Sequence, residues 1–349
     1  MVEAHDNCGF GLIAHKEGQA SHRLLRLALQ GLSRMQHRGG VAADGRTGDG
    51  CGLLLSLPTK FFRAVAEENG FRLAKRFAVG MVFLPQDPAR AKAIIADELA
   101  KETLTIAGWR PVPVDESVLG YIALHSKPVI EQVLVNAPPG WRKRELERRL
   151  YMARRRAEKR LEAEQQDAYM ASLSCVVIVY KALTLAADLP RFYTDLTDLR
   201  MESTMCLFHQ RFSTNTLPRW ELAQPFRYLA HNGEINTISG NRHWARARSH
   251  KFASPLLPDL QTAKPFVSSN GSDSQAMDNM LDLLLSGGMD LFRAMRLIMP
   301  PAWEQDPVMA DDVKAFFEFN SMHMEPWDGP AGVVTVSYTH LTLPTIYSV

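Results

Sequence analysis

The alternation of apolar and polar positions along the chain predicts short strands mixed with amphipathic helices. Cys8 to His15 is an apolar, glycine-spaced run of strand length, and Ser21 is placed to cap a helix that reaches about Gln36. The apolar stripe of that helix consists of Leu24, Leu25, Ala28, Leu29, Leu32 and Met35. Similar patterns predict strands at residues 51–57, 77–84, 129–135, 169–180, 204–211 and 226–231, and helices at 87–101, 143–165, 242–248, 273–285 and 290–298.

The order of these elements favours an α+β fold. Strands and helices do not alternate strictly, which argues against a parallel, doubly wound sheet. Antiparallel sheets covered by helices suit the pattern better. A loop at residues 38–50, rich in glycine and short polar residues, separates the first helix from the second strand.

Charge and hydropathy narrow the class of protein. The chain has 349 residues and a formal net charge of +2, so its overall charge does not indicate binding to nucleic acid or to a membrane surface. No apolar run approaches the roughly 20 residues that span a bilayer. Residues 1–7 lack the apolar segment of a secretory signal, and we expect a cytoplasmic protein. The basic helix at 143–165 is interleaved with glutamates and lacks aromatic residues for stacking, so we expect a solvated, ion-paired face rather than a nucleic-acid site.

The four cysteines lie far apart, at Cys8, Cys51, Cys175 and Cys206, without the spacing of a metal site or a disulfide framework. We expect the last three to be buried thiols. Cys8 follows a short polar leader, and removal of residues 1–7 would give it both a thiol and a free α-amino group. That amine, with an unperturbed pKa of about 7.7–8.0, could take the thiol's proton. The alternative is a packed thiol at the head of a strand.

Two polar loops carry further candidate residues. In residues 209–216, Arg211 stands at a strand end with Thr214 nearby, and its guanidinium could bind a carboxylate in bidentate fashion; the alternative is a surface arginine beside a polar turn. In residues 230–236, Asn232 and Gly233 are either a hairpin turn or an oxyanion hole, in which an amide side chain and a backbone N–H donate to one oxygen.

A third loop, residues 270–274, places Asp273 at the start of the helix predicted at 273–285. Its carboxylate could be an N-cap or could hold a substrate ammonium. An arginine for a carboxylate and an aspartate for an ammonium together match the head group of an α-amino acid. A thiol with an oxyanion hole matches acyl transfer from an amide.

These runs, together with residues 35–40, 47–50 and 325–330, resemble the class II glutamine amidotransferases in order and spacing. Within that family the chain is most similar to the glutaminase domain of the large subunit of bacterial, NADPH-type glutamate synthases. The resemblance extends from Cys8 to about residue 334. It implies the N-terminal-nucleophile (Ntn) hydrolase fold, a four-layer αββα sandwich of mostly antiparallel sheets.

The resemblance also implies a role for each candidate residue. Cys8, freed by cleavage after Asn7, would attack the side-chain amide of L-glutamine, with its own α-amine as the general base. Asn232 and Gly233 would stabilise the oxyanion. Arg211 would bind the α-carboxylate and Asp273 the α-ammonium, with Thr214 as a supporting contact. Ammonia would leave first, and water would then hydrolyse the glutamyl thioester.

Full-length members continue into domains that hold FMN and an iron–sulfur cluster and that make glutamate from 2-oxoglutarate and ammonia, with a small NADPH-oxidising subunit as partner. We expect no cofactor and no metal in the present chain. The expected organisation is a removable leader at 1–7, an amidotransferase domain at 8–334 that is incomplete at its C-terminal end, and an unrelated tail at 335–349, which we interpret as translated adapter sequence. The alternatives are an inert, unprocessed fragment and a different N-terminal-cysteine amide hydrolase.

Overall fold

The computed structural model describes residues 8–211, 218–336 and 341–342. Its strands are β1 (Gly9–Ala14), β2 (Cys51–Ser56), β3 (Phe77–Leu84), β4 (Thr105–Pro111), β5 (Val129–Asn136), β6 (Tyr169–Ser174), β7 (Val177–Ala182), β8 (Met205–Gln210), β9 (Leu229–Gly233), β10 (Ala331–Val336) and β11 (Leu341–Thr342). Its α-helices are α1 (His22–Arg34), α2 (Thr59–Glu68), α3 (Ala89–Lys101), α4 (Tyr121–His125), α5 (Lys143–Ala163), α6 (Leu189–Phe192), α7 (Ile238–Ala247), α8 (Asp273–Ser286), α9 (Leu291–Ile298) and α10 (Asp311–Ser321).

The first sheet has the strand order β1-β8-β2-β7, with every neighbouring pair antiparallel. Successive side chains point to opposite faces of a strand. Leu53 and Phe208 therefore enter a core shared with α1 and α2, whereas Leu54 and Leu207 enter a separate apolar cluster on the other face. The apolar runs of β2 and β8 are buried on both sides.

A second sheet, with the order β11-β10-β9, lies against that other face. Ala230 and Val334 pack into the same cluster as the first sheet. Their neighbours Leu229 and Val333 face the opposite way, into a core formed with α7, α8 and α9. Helices, sheet, sheet and helices thus follow one another as four layers.

A third sheet, with the order β4-β5-β3-β6, is also antiparallel. One of its faces packs on α3 and α5, and the other joins the core of α1 and α2. The short connection from β6 to β7 leads from this sheet into the first one. The core is therefore continuous through the first and third sheets.

The predicted strand at 169–180 is wrong as a single element, because it consists of two strands, β6 and β7, that belong to different sheets. Ser174 interrupts it: its Oγ accepts from the N–H groups of Val176 and Val177 at 3.0 and 3.2 Å. The same hydroxyl lies 3.0 Å from the carboxylate of Glu147 on α5. A side-chain turn ends the strand inside an otherwise apolar run.

The predicted strand at 226–231 is shifted to β9. The N–H of Phe226 donates to the carbonyl of Leu229 at 2.9 Å, which makes a turn of the first residues. Asn232 and Gly233 lie inside the strand, opposite Gly332 and Ala331. The hairpin-turn interpretation of Asn232 and Gly233 is therefore wrong.

The helix predictions differ from the structure mainly at their ends. Ser21 caps α1 as predicted, accepting from the N–H of Leu24 at 3.2 Å. The helix predicted at 242–248 begins earlier, as α7, and the pattern predicts none of α2, β4 and α10. The face of α5 is not wholly solvated, because Arg154 and Arg155 are buried and Arg154 pairs with Asp282 of α8.

Candidate active site

Cys8 lies at the head of β1, at the end of the first sheet where β8 finishes. The register that pairs Gly9 with Gln210 brings Cys8 and Arg211 to the same place. Only 5% of Cys8 is exposed. Burial raises the pKa of its thiol to about 11, the Arg211 guanidinium opposes that rise, and Asp49 and Asp273 add to it. One cation and two carboxylates therefore act on this thiol.

Asn232 reaches Cys8 from the second sheet. Its Nδ2 donates to the carbonyl oxygen of Cys8 at 3.0 Å. A side-chain amide carries two N–H donors, and this bond uses one of them. The amide that is predicted to stabilise an oxyanion is thus hydrogen-bonded to the backbone of the residue that is predicted to be the nucleophile.

Gly233 follows in a backbone conformation that suits glycine alone. Its φ is +120°, and a Cβ there would lie 1.9 Å from the carbonyl oxygen of Pro330. The N–H of Glu234 donates to that carbonyl at 3.2 Å, which makes Gly233 and Ala331 a pair without ladder hydrogen bonds. The N–H of Gly233 consequently points away from β10.

Arg211 is the first residue after β8 and also has a positive φ, +89°. Its N–H donates to the carbonyl of Gly50 at 2.7 Å, and its Nε lies 3.4 Å from Oδ2 of Asp49. Asp49 is itself held by the N–H of Gly40 at 2.7 Å and by the amide of Gln210 at 3.4 Å. The glycine-rich loop thus supplies a carboxylate that orients the guanidinium. Sequence reasoning noted residues 47–50 but assigned Asp49 no role.

Asp273 opens α8, but it is not the N-cap. Ser272 is the cap, because its Oγ accepts from the N–H of Gln275 at 3.1 Å. Asp273 accepts instead from the N–H of Ile235 at 3.0 Å and from that of Ser274 at 2.7 Å. The carboxylate joins the helix start to the chain just beyond β9.

The structure brings together Cys8, Asn232, Gly233, Arg211 and Asp273, which come from both stacked sheets and from α8. Thr214 lies outside the described residues. A thiol, an amide donor, a guanidinium and a carboxylate in one place are the groups needed to bind an amino acid and to attack an amide.

Sequence reasoning missed three buried polar residues behind this cluster: His209, Gln224 and His231. Burial lowers the pKa of His209 to about 4 and also lowers the pKa of His231. The two histidines lie in the loops 209–216 and 230–236, which the sequence already singled out. The sequence around Gln224 contains no motif that indicates a function. Gln224 meets His231 across a turn of the same segment, whereas His209 reaches His231 because the two sheets stack.

Within residues 8–211, 218–336 and 341–342, no group of three or more His, Cys, Asp or Glu side chains could hold a metal ion. No helix in the same part of the chain is long and apolar enough to cross a membrane. Cys51, Cys175 and Cys206 are buried thiols, as predicted.

The chain is similar to several glutamate synthases. It is 40% identical over 343 residues to ferredoxin-dependent glutamate synthase 2 of Synechocystis sp., which covers 96% of this chain and 22% of that protein. It is 40% identical over 334 residues to the glutamate synthase [NADPH] large chain of Bacillus subtilis, covering 94% of this chain and 22% of the relative. The same protein of Azospirillum brasilense is 39% identical over 338 residues, covering 95% and 22%. The chain therefore spans about a fifth of the length of these relatives.

The sequence model of the class-II glutamine amidotransferases matches residues 8–341. That match covers nearly the whole chain and includes all the residues of the cluster. It also confirms the predicted α+β class, an Ntn-hydrolase sandwich in which antiparallel sheets lie between helices. The chain belongs to the class II glutamine amidotransferases.

Proposed function

We propose that this chain is the glutamine-hydrolysing domain of a glutamate synthase, which converts L-glutamine to glutamate and ammonia. The observation that carries the proposal is the bond from the Asn232 amide to the Cys8 carbonyl, with Arg211 and Asp273 close enough to act on the pKa of the same thiol. The similarity to glutamate synthases supports the choice within the family.

Cys8 is the nucleophile in this proposal, once the bond after Asn7 is cut. Its α-amine accepts the thiol proton while the sulfur attacks the carbonyl carbon of the glutamine side chain. The same proton then passes to the leaving nitrogen, the C–N bond breaks, and ammonia departs. Water attacks the resulting thioester, giving glutamate and restoring the thiol.

Asn232 and Gly233 stabilise the negative oxygen of the tetrahedral intermediate. Donors of this kind act because they are fixed before the charge develops. Two observations favour the assignment: Asn232 is tied to Cys8, and the conformation of Gly233 admits no side chain. The N–H of Gly233 also points away from β10.

Arg211 binds the α-carboxylate of glutamine, and Asp273 binds its α-ammonium, with Thr214 as a supporting contact. The contact of Arg211 with Asp49 supports the first assignment, because the Asp49 carboxylate orients the guanidinium beside the Cys8 strand. The influence of Arg211 and Asp273 on the Cys8 thiol supports placing both head-group contacts near the reacting amide.

The ammonia would be used elsewhere in a longer protein. We extend the proposal to domains that hold FMN and an iron–sulfur cluster, to a small NADPH-oxidising subunit, and to the cytoplasm as the compartment. The described residues offer no cluster of metal-binding side chains, and the proposal assigns both cofactors to those further domains. The leader at 1–7 and the unrelated tail at 335–349 stay predictions; β10 itself continues to Val336.

The proposal is tested by comparing two amides on a form of the chain that begins at Cys8, released by a site-specific protease. L-Glutamine and glutaric acid monoamide carry the same reacting group, but the second lacks the α-ammonium. Ammonia release from glutamine should be at least tenfold faster. Equal rates would favour a general amide hydrolase.

Leader removal is tested separately by intact mass. Purified chain that has lost residues 1–7 and hydrolyses glutamine supports the proposed maturation. A chain that retains them and releases no ammonia, whereas the form beginning at Cys8 does, would be an inert precursor.

A further inference from the structure

We propose that Gln224 and His209 are positioning residues that hold the end of β9, and with it Asn232 and Gly233, at a fixed place relative to the Cys8 strand. The inference rests on the proposed function, because it concerns the same reaction. Neither side chain touches the substrate. Both act through the backbone groups of His231.

Gln224 binds both the backbone N–H and the backbone carbonyl of His231. The N–H of His231 donates to its Oε1 at 2.8 Å, and its Nε2 donates to the His231 carbonyl at 3.0 Å. The register of β9 on β10 turns these two groups away from β10. The side-chain amide of Gln224 therefore makes the two hydrogen bonds that a neighbouring strand would otherwise make with His231. Gln224 is 1% exposed, so water does not compete for these bonds.

His209 binds the same carbonyl from the first sheet. Its Nε2 lies 3.0 Å from the carbonyl oxygen of His231, and because a carbonyl only accepts, Nε2 carries the proton. His209 pairs with Phe10 on β1, two residues from Cys8. Burial lowers its pKa to about 4, so the ring stays a neutral donor at pH 7. The bond links the strand next to the nucleophile with the strand of the oxyanion donors.

The side chain of His231 adds a third connection. Its Nδ1 lies 2.7 Å from the hydroxyl of Ser274, whose N–H donates to Asp273 at 2.7 Å. One residue is thus held by the loop at Gln224, by β8 and by the start of α8. The next residue along the chain is Asn232.

The location of these bonds argues for a role beyond stability. Elsewhere the two sheets meet through apolar side chains, among them Leu54, Val179 and Val334. Burying polar groups in such an interface is costly unless they are bonded. Here the buried polar side chains converge on the peptide that precedes the oxyanion donors. A misplacement of about 1 Å in a catalytic group can cost about a hundredfold in rate.

Two matched pairs of variants test the inference in the form that begins at Cys8. Gln224→Glu keeps the acceptor for the His231 N–H but replaces the donor with an oxygen, whereas Gln224→Leu removes both. His209→Phe keeps the ring and removes the donor, whereas His209→Gln places an Nε2 donor at a similar reach. Val179→Ala is the control, because it weakens the same interface without touching His231.

We expect kcat for glutamine to fall about tenfold or more in Gln224→Glu, Gln224→Leu and His209→Phe, with KM within about twofold, since loss of oxyanion contacts acts on the transition state. His209→Gln should recover most of the rate, and Val179→Ala should lower the melting temperature with kcat unchanged. Lower melting temperatures with wild-type kcat in the Gln224 and His209 variants would overturn the inference.

Hydrogen exchange of the β9 peptide separates this inference from the proposed function. Exchange at residues 229–235 should speed up in Gln224→Leu and His209→Phe but not in Val179→Ala. Unchanged exchange in the first two variants would overturn the positioning role of Gln224 and His209 even if glutamine is hydrolysed. Wild-type protein that releases no ammonia would overturn the proposed function, while exchange would still decide whether Gln224 and His209 hold the end of β9.

Discussion

The side-chain amide of Asn232 donates to the carbonyl oxygen of Cys8 at 3.0 Å. This bond crosses between the two stacked sheets and joins a strand near the start of the chain to one more than two hundred residues later. The bond couples the position of the amide to the backbone of Cys8. The expected effects of substitution follow from this coupling and from the charges around it.

Asn232→Ala should lower kcat for glutamine by about 100- to 1,000-fold with little change in KM, because removal of one oxyanion donor acts on the transition state. Steady-state ammonia release measures both constants. Asn320→Ala, which removes an amide bonded to the Phe316 carbonyl within α10, is the matched control. A similar loss of kcat in both variants would contradict the role of Asn232.

Gly233→Ala should destabilise the fold by about 1–3 kcal/mol or more, because alanine at a positive φ is strained and its Cβ would meet the Pro330 carbonyl at 1.9 Å. Gly240→Ala is the control, since a Cβ there has nothing within 4 Å. In that helix, alanine should be neutral or stabilising by up to about 1 kcal/mol. Thermal unfolding that ranks the two variants equally would contradict this account.

The reactivity of Cys8 in the 349-residue chain should rise with pH up to about 11, the value to which burial raises its pKa. The thiolate is the reactive form, so alkylation by iodoacetamide should accelerate about tenfold per pH unit between pH 7 and 10. Mass spectrometry of the Cys8 peptide measures the rate. A plateau reached by pH 9 would show that the pKa is not raised.

Asp49→Asn should move this profile in a defined direction. The Asp49 carboxylate raises the pKa of Cys8 and the Arg211 guanidinium lowers it. Removing the negative charge should therefore lower the pKa and speed alkylation at pH 8, whereas Arg211→Gln should slow it. Shifts of the same sign in both variants would contradict the arrangement of charges.

Arg211→Lys should raise KM for glutamine about tenfold or more, because a lysine cannot replace the bidentate fork. The effect on kcat should be smaller, since the α-carboxylate is bound before and during the reaction. Arg219→Lys is the control, because Arg219 is largely exposed beside Glu221. An unchanged KM in Arg211→Lys would exclude Arg211 from carboxylate binding.

Much of the fold could be predicted from local patterns. The elements that were predicted wrongly have a common cause. Ser21 was recognisable as a cap because it acts on residues three positions away. Ser174 was not recognisable as a strand end, because it depends on a turn and on Glu147 from a distant helix. The periodicity of apolar residues and the chemistry of helix caps can be recognised in the sequence, whereas tertiary contacts cannot.

The candidate site divides in the same way. Residues with distinctive chemistry in short motifs, such as Cys8, Asn232 and Arg211, could be named in advance. Asp49 and Gln224 could not, because their partners are brought near only when loop 38–50 folds under Arg211 and when the chain turns between Gln224 and His231. The same applies to Asn232 and Gly233 as secondary structure: their dipeptide favours a turn, yet pairing with β10 keeps both within β9.

The most direct test of the central claim is ammonia release from L-glutamine by the form that begins at Cys8, compared with its Cys8→Ala variant. The account predicts stoichiometric glutamate and ammonia from the first, and only background from the second at an unchanged melting temperature. Equal release by the two proteins would contradict it.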